Sequence, residues 1–431
     1  MERFTMKVHI ENIGCFKNLV DSERLLYALE QRGIAVSFGK LDGSADIVII
    51  NTCGFIHDAE TSSIALIRKY ASLKSKGVIS QLWVMGCYGQ KMGKKLKTVM
   101  PVVDFVFGNF NWEDILTRLG QSYTTGVQRH ITTPPHYTYL KISEGCNRPC
   151  TYCIKPILNG PLKSIPMEQL IEEVKWLVGQ GVCELQLIAQ NLTDYGLDLY
   201  GEKKIAELVE RIADIQGIEW IRLHYAYPIG FPRRLLDVMR ERNNVCKYLD
   251  MALQHCNPEI LKLMRRSMTK EKLVSLLSDI RNSVPGIYLR TTFMVGFPGE
   301  TDEMFDELYT FVKEQKFERM GVFRYSAQQS SYSHENYVDT VSENIKTARA
   351  LTLMNIQKEN YQSLNSSLIG TVQRSIVDCY MDGKYHCRTE HSTPMADPKI
   401  IVDSSHPLKI GSFQMIRITE SVGKDMRGIV L

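Results

Sequence analysis

Three cysteines lie within eight residues in the stretch KISEGCNRPCTYC, with three residues between the first two and two residues between the last two. They are Cys146, Cys150 and Cys153, called here the loop triad. Thiolates bind soft metal ions. A structural zinc ion needs four ligands, and no fourth Cys or His follows at the usual spacing. The triad therefore predicts a metal centre with one open position, and a zinc site completed by a distant residue is the alternative.

The spacing of the loop triad differs from that of zinc ribbons and of ferredoxins. A cubane of four irons held by three cysteines leaves one iron open to an external ligand. The pattern C-x-x-x-C-x-x-C with an aromatic residue before the last cysteine, here Tyr152, is the signature of radical S-adenosylmethionine enzymes. We therefore predict that the loop triad holds a four-iron four-sulfur (4Fe-4S) cluster as its catalytic centre, with S-adenosylmethionine on the open iron.

Three more cysteines each follow a predicted strand in the first part of the chain, namely Cys15, Cys53 and Cys87, called here the sheet triad. Residues just beyond the carboxyl ends of parallel strands converge on one crevice, so these thiols can meet although they are far apart in sequence. Each alone is typical of a buried small hydrophobe. Each also adjoins a glycine, which lets the backbone approach a bulky group closely. Together they predict a second metal site.

Other residues near the ends of later strands are candidates for binding the cofactor. Gln190 and Asn191 follow the second strand of the central region, where they can either bind the cofactor or cap the next segment. The turn GFPGE contributes Gly296, Pro298 and Gly299. Its alternative role is a plain strand-to-helix turn with Glu300 at the start of a helix, where the helix dipole favours a carboxylate.

Composition limits what else the cysteines can do. The chain has 431 residues, eleven of them cysteines, and a formal net charge of +4. We find no signal peptide and no apolar run of membrane-spanning length, so we predict a cytoplasmic protein with no membrane partner. A reducing compartment disfavours disulfides. The net charge is too small to require a nucleic-acid partner.

The elements that must position these residues form three regions. Strand-like and helix-like patterns alternate over residues 1–130, with Asp21 or Ser22 as the cap of the first helix, and predict an open parallel α/β sheet. Six βα units over residues 136–360 predict a partial (β/α)6-type barrel, with chemistry at the carboxyl ends of its strands. Residues 366–431 carry short β-like runs and predict a small β-barrel or sandwich. The fold class is therefore α/β with an all-β tail.

The whole chain resembles the radical S-adenosylmethionine methylthiotransferases, and within them those that act on an aspartate of small-subunit ribosomal protein twelve. The resemblance rests on these segments: GCFKNLVDSE, NTCGFIHDA, KISEGCNRPCTYC, DYGLDLYG, LQH, VGFPGET and RTEHSTPMADPKIIV. It implies that the tail is a TRAM domain. It also implies two 4Fe-4S clusters: the loop triad's cluster generates a 5′-deoxyadenosyl radical that attacks the aspartate β-carbon, and the sheet triad's cluster takes part in sulfur transfer.

The resemblance implies ribosomal protein twelve as the substrate and an electron donor as a further partner. A tRNA methylthiotransferase acting on isopentenyladenosine is the alternative, and a ribosome-associated iron–sulfur binding module is the non-enzymatic one. From residue 366 to 431 the chain has eight Lys and Arg against seven Asp and Glu, whereas an RNA-binding tail should be basic. We therefore expect tRNA to be the less favoured substrate, and tail carboxylates, including Asp382, Glu390, Asp397 and Asp403, to dock the ribosomal protein.

The sequence departs from the family pattern at a few positions. After the loop triad the family usually has Ile-Pro, Arg-Gly and Ser-Arg, where this chain has Lys155-Pro156, Asn159-Gly160 and Ser164-Ile165. Gln328-Gln329 replaces residues that are usually acidic. The cysteines are untouched by these changes, so we expect an effect on substrate contacts and not on cluster binding.

Overall fold

The structure is a computed structural model that describes residues 6–54, 57–109, 112–121 and 126–431. The chain forms two compact units. The first contains Met1–Thr133, Tyr139–Arg148 and Cys153–Trp176, and the second contains Pro134–Thr138, Pro149–Tyr152 and Leu177–Leu431. No helix among the described residues is both long enough and apolar enough to cross a lipid bilayer.

The first unit is built on a five-stranded parallel sheet with the strand order β2-β1-β3-β4-β5. Its apolar strands are buried on both faces, as the runs DIVII and LWVM predicted. The strands are β1 (Lys7–Asn12), β2 (Ala35–Phe38), β3 (Ala45–Thr52), β4 (Ile79–Met85) and β5 (Phe105–Val106). The helices are α1 (Phe16–Glu30), α2 (His57–Ser75), α3 (Gly86–Met92), α4 (Lys95–Val99) and α5 (Trp112–Arg118).

Helix α1 begins earlier than the sequence predicted, so the assignment of its cap to Asp21 or Ser22 was wrong. Its N-cap residue is Cys15, and Asp21 and Ser22 are buried inside the helix. Both polar side chains find partners there: Asp21 accepts a hydrogen bond from Lys141, and Ser22 accepts one from Asn51. Tertiary contacts thus replace the local capping role that these residue types usually indicate.

The cysteine loop follows the next strand, β6 (Tyr137–Lys141). The short strand β7 (Ser143–Glu144) lies between β6 and the first cysteine of the loop. After the last cysteine come α6 (Lys155–Asn159), β8 (Lys163–Ser164) and the predicted helix at Met167, which is α7 (Met167–Gly179). Strands β7 and β8 pair in antiparallel fashion, which closes the cysteine loop at its base.

A six-stranded sheet with the order β13-β12-β11-β10-β9-β6 confirms the six predicted βα units. Its further strands are β9 (Glu184–Ile188), β10 (Trp220–Ala226), β11 (Val245–Met251), β12 (Tyr288–Val295) and β13 (Arg319–Arg324). A 3-10 turn covers Leu192–Asp194. The helices are α8 (Leu197–Tyr200), α9 (Ile205–Ala213), α10 (Arg234–Glu241), α11 (Pro258–Leu263), α12 (Lys270–Ser283), α13 (Asp302–Gln315), α14 (Tyr332–Asn336) and α15 (Glu343–Ser367).

The tail forms a closed barrel with the order β14-β15-β16-β18-β17, which decides between the two predicted β forms. Its strands are β14 (Val372–Met381), β15 (Lys384–Thr389), β16 (Ile400–Val402), β17 (Phe413–Val422) and β18 (Asp425–Val430). A buried ion pair connects this barrel to the six-stranded sheet. Arg388 of β15 donates to both oxygens of Glu184, the first residue of β9, at 3.0 and 2.6 Å.

Two of the tail carboxylates expected to dock a substrate are used inside the second unit. Asp397 is buried and accepts hydrogen bonds from Tyr248 at 2.8 Å and from Arg290 at 2.7 Å. Glu390 accepts one from the backbone of Lys247 at 2.9 Å. The expectation was therefore wrong for the buried Asp397, whereas for the partly exposed Glu390 it stays a prediction. Asp382 and Asp403 are exposed.

Candidate active site

The sheet triad lies at the carboxyl ends of three parallel strands, as the sequence predicted. Cys15 follows β1 and is the N-cap of α1, and Cys87 follows β4 in the first turn of α3. Cys53 directly follows β3, between that strand and α2. A helix N-terminus carries partial positive charge and stabilises thiolates. The topology thus brings thiols and helix N-termini to the same edge of the sheet.

Electrostatic coupling shows that the three thiols of the sheet triad lie close together. The pKa of Cys87 is raised to about 12, first because the thiol is buried and then because Cys15 and Cys53 are near it. Asn109 and Lys155 oppose this rise. Neighbouring thiolates repel one another, and a positively charged metal centre bound by them would relieve this repulsion.

Two lysines add cationic character to the sheet triad. Burial by itself raises the pKa of Cys15, but Lys17, Lys155 and the nearby backbone N–H groups bring the pKa below its ordinary value. Lys155 is one of the positions at which this chain departs from the family pattern. It lies two residues after Cys153, so the segment that follows the loop triad faces the sheet triad within the first unit. The sequence carried no signal for this long-range contact.

Hydrogen bonds from polar side chains fix the strand ends that carry the sheet triad. Asn18 donates to the side chain of Asn51 at 2.8 Å, and Asn51 donates to the backbone oxygen of Asn18 at 2.8 Å. Ser63 both accepts from the backbone N–H of Cys53 and donates to its carbonyl oxygen. These bonds fix the cysteine backbone from both neighbouring helices.

The glycines beside the sheet triad serve close packing between the turns themselves. Gly86 has φ +90°, and a Cβ atom there would lie 2.4 Å from the side-chain oxygen of Asn51. A Cβ atom on Gly54 would lie 2.9 Å from the Cα of Tyr88. The sequence predicted close approach to a bulky group; within the described chain the close neighbours are the adjacent turns.

The loop triad lies on a tightly folded hairpin. The backbone N–H of Cys146 donates to the carbonyl oxygen of Gly160 at 3.2 Å, and Asn147 accepts from the backbone of Leu162 at 2.9 Å. Gly145 has φ +63°, and a Cβ atom there would lie only 1.9 Å from the carbonyl oxygen of Pro161. Glycine is therefore required at this position.

We expect Gly145→Ala to displace the loop triad and to lower the iron content of the reconstituted protein to about half, because the second cluster site is independent. Cleavage of S-adenosylmethionine should be lost. Gly160→Ala is the matched control, since Gly160 has φ +73° but a Cβ atom there would contact nothing within 4 Å. Equal iron content in the two variants would contradict the packing argument. Iron analysis and 5′-deoxyadenosine formation are the measurements.

The middle of the cysteine loop is anchored to the turn after α11. Thr151 donates from its backbone to Met264 at 3.2 Å and from its hydroxyl to Leu263 at 2.9 Å. Tyr152 packs against the apolar cluster that contains Phe297. Tyr152, the aromatic residue of the signature, thus packs against the same group of apolar side chains as Phe297 of the GFPGE turn.

The side chain of Glu300 fixes the conformation of the GFPGE turn through hydrogen bonds to the backbone of the turn. Glu300 is buried and accepts from the backbone N–H groups of Gly296, at 2.8 Å, and Phe297, at 3.4 Å, while Arg349 donates to it at 2.7 Å. Glu300 directly precedes Thr301, the N-cap of α13, so the segment is a strand-to-helix turn with the glutamate next to the helix start. Gly296 and Gly299 have φ +73° and +88°, and Pro298 is buried between them. The turn is rigid and suited to line a ligand.

Gln190 and Asn191 differ in what their side chains do. Asn191 accepts from Thr193 and donates to Asp194, so it caps the 3-10 turn, which is one of the two roles that the sequence left open. The side-chain oxygen of Gln190 is buried and has no hydrogen-bond partner in the described structure. A buried acceptor without a donor costs free energy, and a bound ligand can supply the donor. Gln190 is thus the better candidate for cofactor binding.

The ligands that both triads offer are cysteine thiols, the ligand type that iron–sulfur clusters take from proteins. A zinc ion holds its sulfur ligands about 2.3 Å from one centre, and no group of three or more Cys, His, Asp or Glu among the described residues forms such a set. Cysteines that each bind a different iron of a cubane stand farther apart than ligands of one ion. Thiols supply the only sulfur ligands that iron–sulfur clusters ordinarily take from a protein.

Fold and site together define a radical S-adenosylmethionine protein with two accessory domains. Residues 140–312 match the model of the Radical SAM superfamily, which covers the loop triad and the GFPGE turn. Residues 7–108 match the uncharacterized protein family UPF0004, and residues 369–431 match the TRAM domain.

Curated relatives narrow this class. The chain is 46% identical over 427 residues to the ribosomal protein uS12 methylthiotransferase RimO of Parabacteroides distasonis, covering 99% of each chain. It is 47% identical to the protein of the same name from Porphyromonas gingivalis, covering 96% of each, and 42% identical to that from Cytophaga hutchinsonii, covering 99% of this chain and 98% of the relative. The chain belongs to the RimO family of ribosomal protein uS12 methylthiotransferases.

Solved structures share the fold at low sequence identity. The radical S-adenosylmethionine methyltransferase TsrM of Kitasatospora setae, solved with tryptophan and an analogue of S-adenosylmethionine, matches with a TM-score of 0.57 and 15% identity, covering 74% of this chain and 73% of that one. The cobalamin-dependent radical enzyme OxsB matches with a TM-score of 0.53 and 12% identity, covering 83% and 62%. These matches concern the fold alone.

Proposed function

We propose that this protein methylthiolates ribosomal protein uS12 at the β-carbon of an aspartate by radical S-adenosylmethionine chemistry. The observation that carries the proposal is the full-length relation to proteins named for this activity, together with two separate cysteine triads. The convergence of the sheet triad supports a division of the chemistry between two centres. The β-carbon assignment rests on the family resemblance.

The loop triad would hold the 4Fe-4S cluster whose open iron binds S-adenosylmethionine. Together, the reduced 4Fe-4S cluster and S-adenosylmethionine would supply the carbon-centred radical that removes hydrogen from the substrate. The side-chain oxygen of Gln190 would accept a hydrogen bond from the bound cofactor, and Tyr152 with the turn at Gly296, Pro298 and Gly299 would form a wall beside it. Asn191 remains a predicted cofactor residue that acts by holding the 3-10 turn. These residues position the reactants and exclude water.

The sheet triad would hold a second 4Fe-4S cluster that takes part in sulfur transfer. Its supporting features are the electrostatic coupling of the three thiols, the helix N-termini and the cations of Lys17 and Lys155. A cluster bound by three thiolates is an anion at rest, so this positive surrounding stabilises it. The first unit alone contains all the residues of this site.

The electron donor and the cytoplasmic location are proposals as well. An electron donor must deliver the reducing equivalent, and a cytoplasmic location follows from a ribosomal substrate. The domain limits at residues 1–130, 136–360 and 366–431 stay predictions. Docking of uS12 on the tail would now use the exposed Asp382 and Asp403 and the partly exposed Glu390, since Asp397 is buried within the second unit.

An anaerobic assay tests the substrate. Reconstituted protein, S-adenosylmethionine and a reductant would be offered full-length uS12 and an isopentenyladenosine tRNA stem-loop in the same reaction. We expect a mass gain of one methylthio group on the ribosomal protein and none on the RNA. A gain on the RNA alone would contradict the proposal and favour the tRNA enzyme. Cleavage of S-adenosylmethionine with no transfer to either substrate would favour neither activity and would contradict the proposed one.

A further inference from the structure

Arg266 is a buried arginine beside the cysteine loop that no role assigned so far uses. Its Nη1 atom lies 3.8 Å from the sulfur of Cys150 and donates to the hydroxyl of Tyr152 at 3.3 Å. Its Nη2 atom donates to the carbonyl oxygen of Ala252, and its guanidinium lies 4.3 Å from the ring centre of Tyr227. The guanidinium is thus fixed from several sides against one ligand of the loop triad.

The backbone around Arg266 explains this placement. Helix α11 ends at Leu263, and Arg265 adopts a left-handed conformation with φ +53°, which turns the next residue inward. The backbone N–H of Arg266 closes the turn by donating to Leu261 at 2.7 Å. Because Thr151 bonds to this same turn, the guanidinium of Arg266 and the backbone next to Cys150 are held by one segment of the second unit.

No carboxylate among the described residues forms an ion pair with the guanidinium of Arg266. Its side chain is 4% exposed, and it forms no ion pair with Asp or Glu in the part of the chain that the structure describes. Its Nε atom is buried without an acceptor. A buried cation without a counter-charge is unfavourable in a protein. Of the two ionisable groups to which Nη1 donates, Tyr152 and Cys150, the cysteine loses its proton more readily and is the one that can compensate the charge as a thiolate.

We infer that Arg266 is a positioning residue whose guanidinium donates to the Cys150 sulfur and raises the reduction potential of the cluster held by the loop triad. A positive charge beside the cluster favours the form with one more electron, and hydrogen bonds to cluster sulfurs act in the same direction. The inference rests on the proposed function only in that the loop triad holds a cluster, and it does not depend on the substrate.

A redox titration of the holoenzyme followed by EPR tests the inference. The two clusters are distinguished because S-adenosylmethionine changes the signal of the cluster that binds it. In Arg266→Gln and in Arg266→Met, which retains apolar packing on Tyr227, we expect the ratio of reduced to oxidised loop-triad cluster to fall about tenfold at a fixed potential. For a one-electron couple this is a shift of about −59 mV. The potential of the sheet-triad cluster should stay unchanged.

Arg265→Gln is the matched control. It removes one positive charge from the same turn, but Arg265 is exposed and stacks on Tyr332 at 3.8 Å, away from the cysteines. We expect no shift in this variant. A smaller shift should occur in Arg266→Lys, because one ammonium keeps the charge but cannot reproduce the guanidinium's several fixed hydrogen bonds. A wild-type potential in every Arg266 variant that holds the cluster would overturn the inference and leave Arg266 a structural residue.

A measurement on the unmodified sequence covers the case in which no variant holds the cluster. Protein labelled with arginine that carries 15N only in its guanidinium group should show 15N coupling to the reduced loop-triad cluster by electron–nuclear double resonance. The backbone nitrogen of Arg148, which donates to the Cys146 sulfur at 3.4 Å, is then unlabelled and does not contribute. Absence of this coupling would overturn the inference. Failure of uS12 methylthiolation with the coupling and the shift present would instead count against the proposed function alone.

Discussion

Replacing Cys15, Cys53 and Cys87 together with alanine should abolish methylthiolation while leaving the cleavage of S-adenosylmethionine to 5′-deoxyadenosine within about twofold of wild type. The reason is that, of the two clusters, only the one held by the loop triad is proposed to bind S-adenosylmethionine at its open iron. The three cysteines follow parallel strands that end at the same edge of the sheet, so their joint replacement removes one site as a unit. Product and 5′-deoxyadenosine are measured in the same anaerobic reaction.

The mirror variant serves as the control for this experiment. Replacing Cys146, Cys150 and Cys153 should abolish both activities and leave about four of about eight irons per chain, since each triad holds one cubane. Folding of both variants is checked by circular dichroism. Loss of all iron from either variant, or equal loss of cleavage in a folded sheet-triad variant, would contradict the assignment of two independent sites with different roles.

Arg388→Met should destabilise the second unit by about 3–5 kcal/mol, because it leaves buried carboxylates without their partner. Arg388 donates to Glu184 and also to Asp378, at 2.5 and 2.9 Å, and both Arg388 and Glu184 side chains are fully buried. Arg222 still contacts Glu184 in the variant, which limits the loss. The free energy of unfolding is measured by urea denaturation of the full chain.

Arg427→Met is the control for that substitution. Arg427 lies in the same barrel and pairs with Glu420, but both side chains are about half exposed, 53% and 55%. Exposed pairs contribute about 0–1 kcal/mol. Equal destabilisation in the two variants would contradict the buried network.

The same network makes the tail a structural support of the six-stranded sheet, so deletion of residues 366–431 should impair radical generation as well as substrate binding.

The sequence predicted the two triads and their supporting strands because both follow from local rules. Cysteine spacing identified the loop triad, and the rule that parallel strands end at one edge brought Cys15, Cys53 and Cys87 together. The structure confirms the strands and both sheets. Apolar runs bounded by turns carried this information, since buried parallel strands are continuous in hydrophobicity.

The residues that the sequence missed act through long-range contacts. The neighbours of Lys155 lie in the sheet triad, over sixty residues away, and Arg266 reaches Cys150 across 116 residues. Neither position has a local pattern that distinguishes it from a surface cation. The start of α1 was misplaced for the same reason, because Asp21 and Ser22 bond to distant partners and do not cap the helix.

Mass spectrometry of ribosomal protein uS12 from cells with and without the gene tests the central claim most directly. The account predicts that one aspartate of uS12 carries a methylthio group in cells with the gene and lacks it in cells without it. The wild-type gene should restore the modification, and a Cys150→Ala gene should not. An unchanged mass of uS12 in both cells, with loss of the methylthio group from tRNA adenosine instead, would contradict the account.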